Sequence, residues 1–163
     1  VIAAVGAALV PLLLVEAQAR TGATEVHVES RLFAAVFRQQ KTELLDAEAR
    51  AQGVVICLSI DPGGAPQSVS KETLLALELG PAVLRGAECE VRKSRAVELA
   101  TKRSAIVVTA GPIEWVKPDE AWVTVTQTWS ASRSLRRPYR VVREPDGEWT
   151  SLGPILKGAP GLR

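Results

Sequence analysis

The apolar positions along the chain change period several times, and each change marks an element. Leu32, Phe33, Val36, Phe37 and Leu44 recur at three- and four-residue spacing, as one face of an α-helix does. This predicts a helix from Thr24 to Leu45, with Ser30 as a candidate N-cap and Arg31, Arg38, Gln39 and Lys41 on the opposite side. Both phenylalanines of the chain lie on the stripe, so the helix reads as a packing element. Asp46–Gly53 is expected to fray into a connection. Val54–Ile60 is β-branched and apolar on both faces, which predicts a central strand. Asp61–Ser68 is a Pro/Gly loop. Ser70 then caps a short helix carrying Leu74, Leu75, Leu77 and Leu79, which Gly80-Pro81 stops.

The pattern weakens from Ala82 to Arg103. Val91–Thr101 is dense in charge and is expected to be a solvated surface excursion. Strand-like runs follow: Ala105–Thr109, a bulge or break at Gly111-Pro112, Ile113–Val116, and a turn at Lys117–Glu120. Ala121–Trp129 alternates, with Trp122, Thr124, Thr126 and Thr128 on one side and Ala121, Val123, Val125, Gln127 and Trp129 on the other. Ser130–Arg136 crosses back. Tyr139–Arg143, the turn Pro145-Asp146-Gly147 and Glu148–Leu152 form a hairpin. Helices first and strands afterwards predict an α+β fold, with N-terminal helices packed on a curved antiparallel sheet of four to five strands. The expected organisation is a leader over residues 1–19, one domain over 20–157 and a flexible tail over 158–163.

Val1–Val15 is an uncharged apolar run, short for a membrane-spanning helix. Together with the small-x-small sequence Ala17-Gln18-Ala19 it fits a secretory signal cleaved before Arg20. An apolar core helix and an uncleaved membrane anchor are the alternatives. No cysteine lies near Ala19 to carry a lipid anchor. Cleavage would remove Glu16 and no base, leaving 20 bases against 17 acids, so the net charge would rise from +2 to +3. The expected location is periplasmic or secreted, with no stable membrane insertion after cleavage.

Export changes the meaning of the two cysteines, Cys57 and Cys89. In an oxidising compartment an isolated pair is expected to form a disulfide. The 32-residue spacing contains no close ligand pair, and His27 is the sole histidine, so zinc and thiol redox motifs do not fit. Free buried thiols remain the alternative should the chain be cytoplasmic. No metal site, cofactor or catalytic residue is expected.

The balance of charge is too small to imply nucleic acid. Arg133, Arg136, Arg137, Arg140 and Arg143 are nevertheless crowded into eleven residues. They form a candidate anion-binding ribbon, or else they guard a strand edge against aggregation. Tyr139, the sole tyrosine, with Trp122 and Trp129, is a candidate pocket lining. Glu114 and Glu148 are the strand acids available to an acid–base pair, and Glu114 is expected to face outward.

At Cys57-Leu58, Asp61-Pro62, Leu74-Leu75, Glu88-Cys89, Ile113-Glu114-Trp115, Asp119-Glu120-Ala121, Tyr139-Arg140-Val141 and Asp146-Gly147-Glu148-Trp149, the chain resembles small exported bacterial proteins of unknown function. These have a leader, two spaced cysteines and a final strand–turn–strand ending in Gly-x-Trp. The likeness spans most of residues 30–152 and departs at Thr126-Gln127-Thr128-Trp129. It implies a compartment and a topology but no activity. The helix-then-meander order also resembles the nuclear-transport-factor-2-like (cystatin-like) superfamily, whose cone hosts both enzymes and non-catalytic binders. The expected function is an exported, non-catalytic envelope or secreted module that binds a protein or small ligand. The alternative is a cone-fold enzyme doing acid–base chemistry near Tyr139.

Overall fold

The computed structural model describes residues 28–156. The expected leader, its cleavage site, His27 and the tail 158–163 lie outside them. Two compact units are distinguished, Val1–Ser30 and Arg31–Arg163. Of the first, only residues 28–30 are described, and they are helical. Ser30 is therefore not the N-cap expected of it. All that follows concerns the second unit.

The fold is α+β, as expected, but its sheet has nine strands rather than four or five. Helix α1 (residues 31–44) is followed by α2 (Ala47–Ala51), β1 (Val55–Ile60), β2 (Gln67–Ser68) and α3 (Lys71–Ala76). Next come β3 (Val83–Arg85), a 3₁₀ turn at Gly86–Glu88, β4 (Cys89–Val91) and β5 (Ala96–Glu98). The long strands β6 (Ser104–Lys117), β7 (Glu120–Ser130) and β8 (Arg133–Arg143) lead into β9 (Trp149–Pro154). The main path through the sheet is β2-β1-β6-β7-β8-β9. The extra strands come from the stretches with the weakest pattern. Residues 82–103, which include the expected surface excursion at 91–101, supply β3 beside β1 and the β4–β5 hairpin beside β6. The sheet is also not wholly antiparallel, since β1 runs parallel to both β3 and β6.

Local chemistry accounts for the helices. Asp46 caps α2 by accepting from the Ala49 N–H, so 46–53 does not fray as expected. Ser70 caps α3 through the Thr73 N–H. The Gly111-Pro112 break is a bulge: the β6–β7 register shifts between Ala110 and Ile113 while the strand continues.

Position in the sheet explains why β1 is apolar on both faces. Ile56 and Leu58 share a face with Ile106 and Val108 of β6. Register extends that face through Val108–Gln127, Ala110–Val125 and Ile113–Val123, and then through Val123–Tyr139 and Ala121–Val141. Helix α1 covers it. Leu32, Val36, Phe37 and Gln40 are at most 1% exposed, and Gln40 accepts a hydrogen bond from Gln127 Nε2 at 2.7 Å. Phe33, expected on the same stripe, is only half-buried and stacks on Phe37 with ring centroids 6.4 Å apart. The opposite face of β1 holds a second, smaller core of Val55, Cys57, Ala96 and Ala105, flanked by Leu84, Cys89 and Val107. The expected Cys57–Cys89 disulfide is present in it and ties β1 to β4 across a Cα separation of 6.3 Å.

β5 ends at Glu98, which is 7% exposed and accepts from Arg103 Nε and Thr101 Oγ1. Those donors hold its carboxyl below the usual value of 4.5, and Arg140 does the same for Glu120. A depressed folded pKa gives stability that is present above 4.5 and lost as pH falls through the lowered value. Unfolding midpoints are therefore expected to hold from neutrality down to about pH 4.5 and to decline below it. Glu98→Gln is expected to lower the neutral midpoint and flatten the acid limb. An acid limb unchanged in that variant would remove Glu98 from the account.

Candidate functional site

A groove of about 630 Å³ lies between α1 and β9. Its helix wall is Ala35, Arg38, Gln39, Thr42 and Glu43, and its strand wall runs from Glu148 to Leu152. Helical periodicity aligns the first set, because residues at i, i+3, i+4, i+7 and i+8 share a face. The strand wall is the sheet's outermost strand on this side. Ser151 pairs in register with Val141 and so faces the helix.

Glu43 is the hub of the groove's polar network. Its Oε2 accepts from Tyr139 Oη at 2.8 Å and from Gln40 Nε2 at 3.2 Å, and its Oε1 accepts from Gln39 Nε2 at 2.7 Å. Gln40 in turn joins Gln127, so the chain of contacts runs from the sheet centre to the groove. No lysine or arginine of the described residues pairs with Glu43. The bond from Gln39 Nε2 also fixes the orientation of that amide: its Oε1 must be an acceptor. That atom is buried and has no hydrogen-bond partner among the described residues, and the same holds for Ser151 Oγ. Buried polar atoms are normally paired, so two orphans on facing walls of one groove mark it as the candidate site.

Tyr139 is 2% exposed. Burial, with the Glu43 carboxylate adding to it and Gln40 opposing, pushes its phenol up to about 12. Since it is the sole tyrosine, absorbance titration reads it alone. The phenolate is expected near pH 12 rather than 10, and to appear at lower pH in Glu43→Gln. A wild-type titration near 10 would mean that the hydroxyl is not held as described. A raised phenol stabilises the fold fully below pH 10, and that contribution is lost as pH rises through about 12.

The residues singled out from the sequence are only partly brought together. Tyr139 is at the core of the network, but Trp122 pairs with Arg140 and lies on the opposite face of the sheet. Trp129 lines a separate recess of about 260 Å³ beside α2, under the Arg133 guanidinium at 4.9 Å. The three do not form one pocket. The arginine ribbon is split by strand alternation. Arg136 and Arg140 share a face with Thr126 and Trp122, while Arg137 faces the other way beside Val125. Arg140 is held bidentately by Glu120 at 2.8 and 3.2 Å, and Arg133 lies over Trp129. Glu114 is exposed, as expected. Glu148 lines the groove. Sequence reasoning placed Gln39 on the solvent side of α1 and missed Gln40 and Glu43. The available signal was phase, because Gln40 follows Val36 by four residues, on the buried stripe, and Glu43 follows Gln40 by three.

Among the described residues no cluster of histidine, cysteine and acid side chains is placed to hold a metal, and no helix is long and apolar enough to cross a membrane. The disulfide suggests an oxidising, extracytoplasmic environment. No family model matches the chain, and searches of curated proteins and of solved structures found no match either.

Proposed function

We propose that this protein is an exported, non-catalytic binding module, periplasmic or secreted, whose ligand occupies the groove between α1 and β9. The observation that carries this reading is the pair of unpartnered buried atoms, Gln39 Oε1 and Ser151 Oγ, on the two walls of that groove. Its size falls in the range of small-molecule sites. The test is a thermal-shift screen of small molecules against the wild type and Thr42→Trp, which places an indole in the groove from an exposed helix position. Ligands that stabilise the wild type are expected to lose their effect in the variant. Hits indifferent to Thr42→Trp would place binding elsewhere and defeat the proposal. The location is tested separately: recovery of a tagged full chain in the cytoplasm with two free thiols would overturn it.

A cone-fold enzyme is the second reading, favoured by the Tyr139–Glu43 hydrogen bond, since an acid next to a tyrosine is the pair such chemistry needs. Two observations weigh against it. The phenol is shifted away from neutrality, and Glu43 is spent on three internal donors beside an open groove.

A further inference from the structure

We infer that the ligand of the α1–β9 groove is an organic cation, carrying an alkylammonium group that docks between Glu43, Gln39 Oε1 and Ser151 Oγ. This rests on the groove being the binding site and adds the chemical class. Gln39 Oε1 can only accept, because its amide nitrogen is committed to Glu43. Glu43 carries a carboxylate charge that its three neutral donors, Tyr139, Gln40 and Gln39, solvate but do not cancel. Ser151 Oγ can accept as well as donate. An ammonium group has three donors and no acceptor, which matches a groove whose walls carry the Glu43 carboxylate and the unpartnered Gln39 Oε1 and Ser151 Oγ. A carboxylate ligand would meet an orphan acceptor and a like charge, an arrangement that costs rather than stabilises.

The remaining lining agrees. Glu148 adds a second acid, while Trp149 and Leu152 supply apolar surface for an alkyl stem; Leu152 is 54% exposed. The one cation of the lining, Arg38, lies five residues before Glu43. At about 100° per residue it falls on the other flank of the helix face, and it makes no ion pair with Glu43 among the described residues. Alkylammonium groups come either as free amines or as lysine side chains of a peptide, and the groove chemistry is common to both.

The test is a set of amide-shift NMR titrations of the full chain with n-pentylammonium, pentanol and pentanoate. Pentylammonium is expected to shift amides in 35–43 and 148–152 and to bind at least tenfold tighter than pentanoate. Glu43→Gln, which keeps an acceptor for Tyr139, is expected to weaken it about tenfold. Ser151→Ala, which leaves the helix network untouched, should weaken it by a smaller factor. Tighter binding of Nα-acetyl-lysine N-methylamide than of pentylammonium would assign the cation to a peptide's lysine; equal or weaker binding would assign it to a free amine. Preferred binding of pentanoate in the groove would overturn the cation inference while leaving the binding-module reading intact. So would pentylammonium binding unaffected in both variants with dispersed, native-like spectra. Groove amides that respond to none of the three probes would overturn both.

Discussion

Gly111→Ala is expected to destabilise the fold by about 3–4 kcal/mol, read as a lowered midpoint in urea unfolding. Two costs combine. Gly111 has φ +121°, a backbone conformation that side chains rarely adopt, and holding a residue there costs about 1–3 kcal/mol. A Cβ at this position would also overlap the Asp61 carbonyl oxygen. That neighbour is backbone, held by the Asp61 N–H bond to the Ala110 carbonyl at 2.8 Å, so it yields only if the end of β1 moves. Overpacking of this kind adds about 1–3 kcal/mol. Gly64→Ala is the control, since nothing lies within 4 Å of an added Cβ there; its midpoint should move by less than about 0.5 kcal/mol. Equal behaviour of the two variants would mean that the β1–β6 junction is not packed as described.

Removal of the disulfide, by Cys57→Ala with Cys89→Ala, is expected to cost about 4 kcal/mol. The bridge closes a loop of 32 residues in sequence separation, and the chain-entropy model assigns a loop of that length about 3.7 kcal/mol. A domain of this kind has a total stability of about 5–15 kcal/mol, so the loss is a large part of the whole. The effect should fall unevenly. The β4–β5 hairpin is fixed on one side by Cys89 and on the other by the short pairing of Ala96 and Val97 with β6 and by the Ala131 N–H bond to the Arg92 carbonyl. Hydrogen exchange in residues 83–98 should accelerate more than in β7 or β8. Uniform acceleration across the sheet would show instead that the hairpin is held by its small apolar core and not by the bridge.

Strong local chemistry was legible in the sequence. The central strand followed from a run apolar on both faces, the α3 cap from Ser70, the bulge from Gly111-Pro112, and the disulfide from two isolated cysteines in a chain read as exported. The misreadings share a cause. Strands β3, β4 and β5 have three residues each, too few to display alternation, and their charged neighbours looked like surface. Their strand character comes from edges already offered by β1 and β6, which is long-range information. The groove was hidden for a related reason. Glu43 and Tyr139 are 96 residues apart, and nothing in either neighbourhood announces the other. The arginine ribbon is the converse case, because residues close in sequence are divided by strand alternation between two faces.

The most direct measurement on the central claim, that the α1–β9 groove is the binding site, is an amide-shift NMR map of the full chain against a charge-diverse fragment library. The account predicts that responding amides cluster in residues 35–43 and 148–152, whichever fragments bind. Shifts concentrated on the Trp122, Arg136 and Arg140 face of the sheet, with the groove silent, would contradict it.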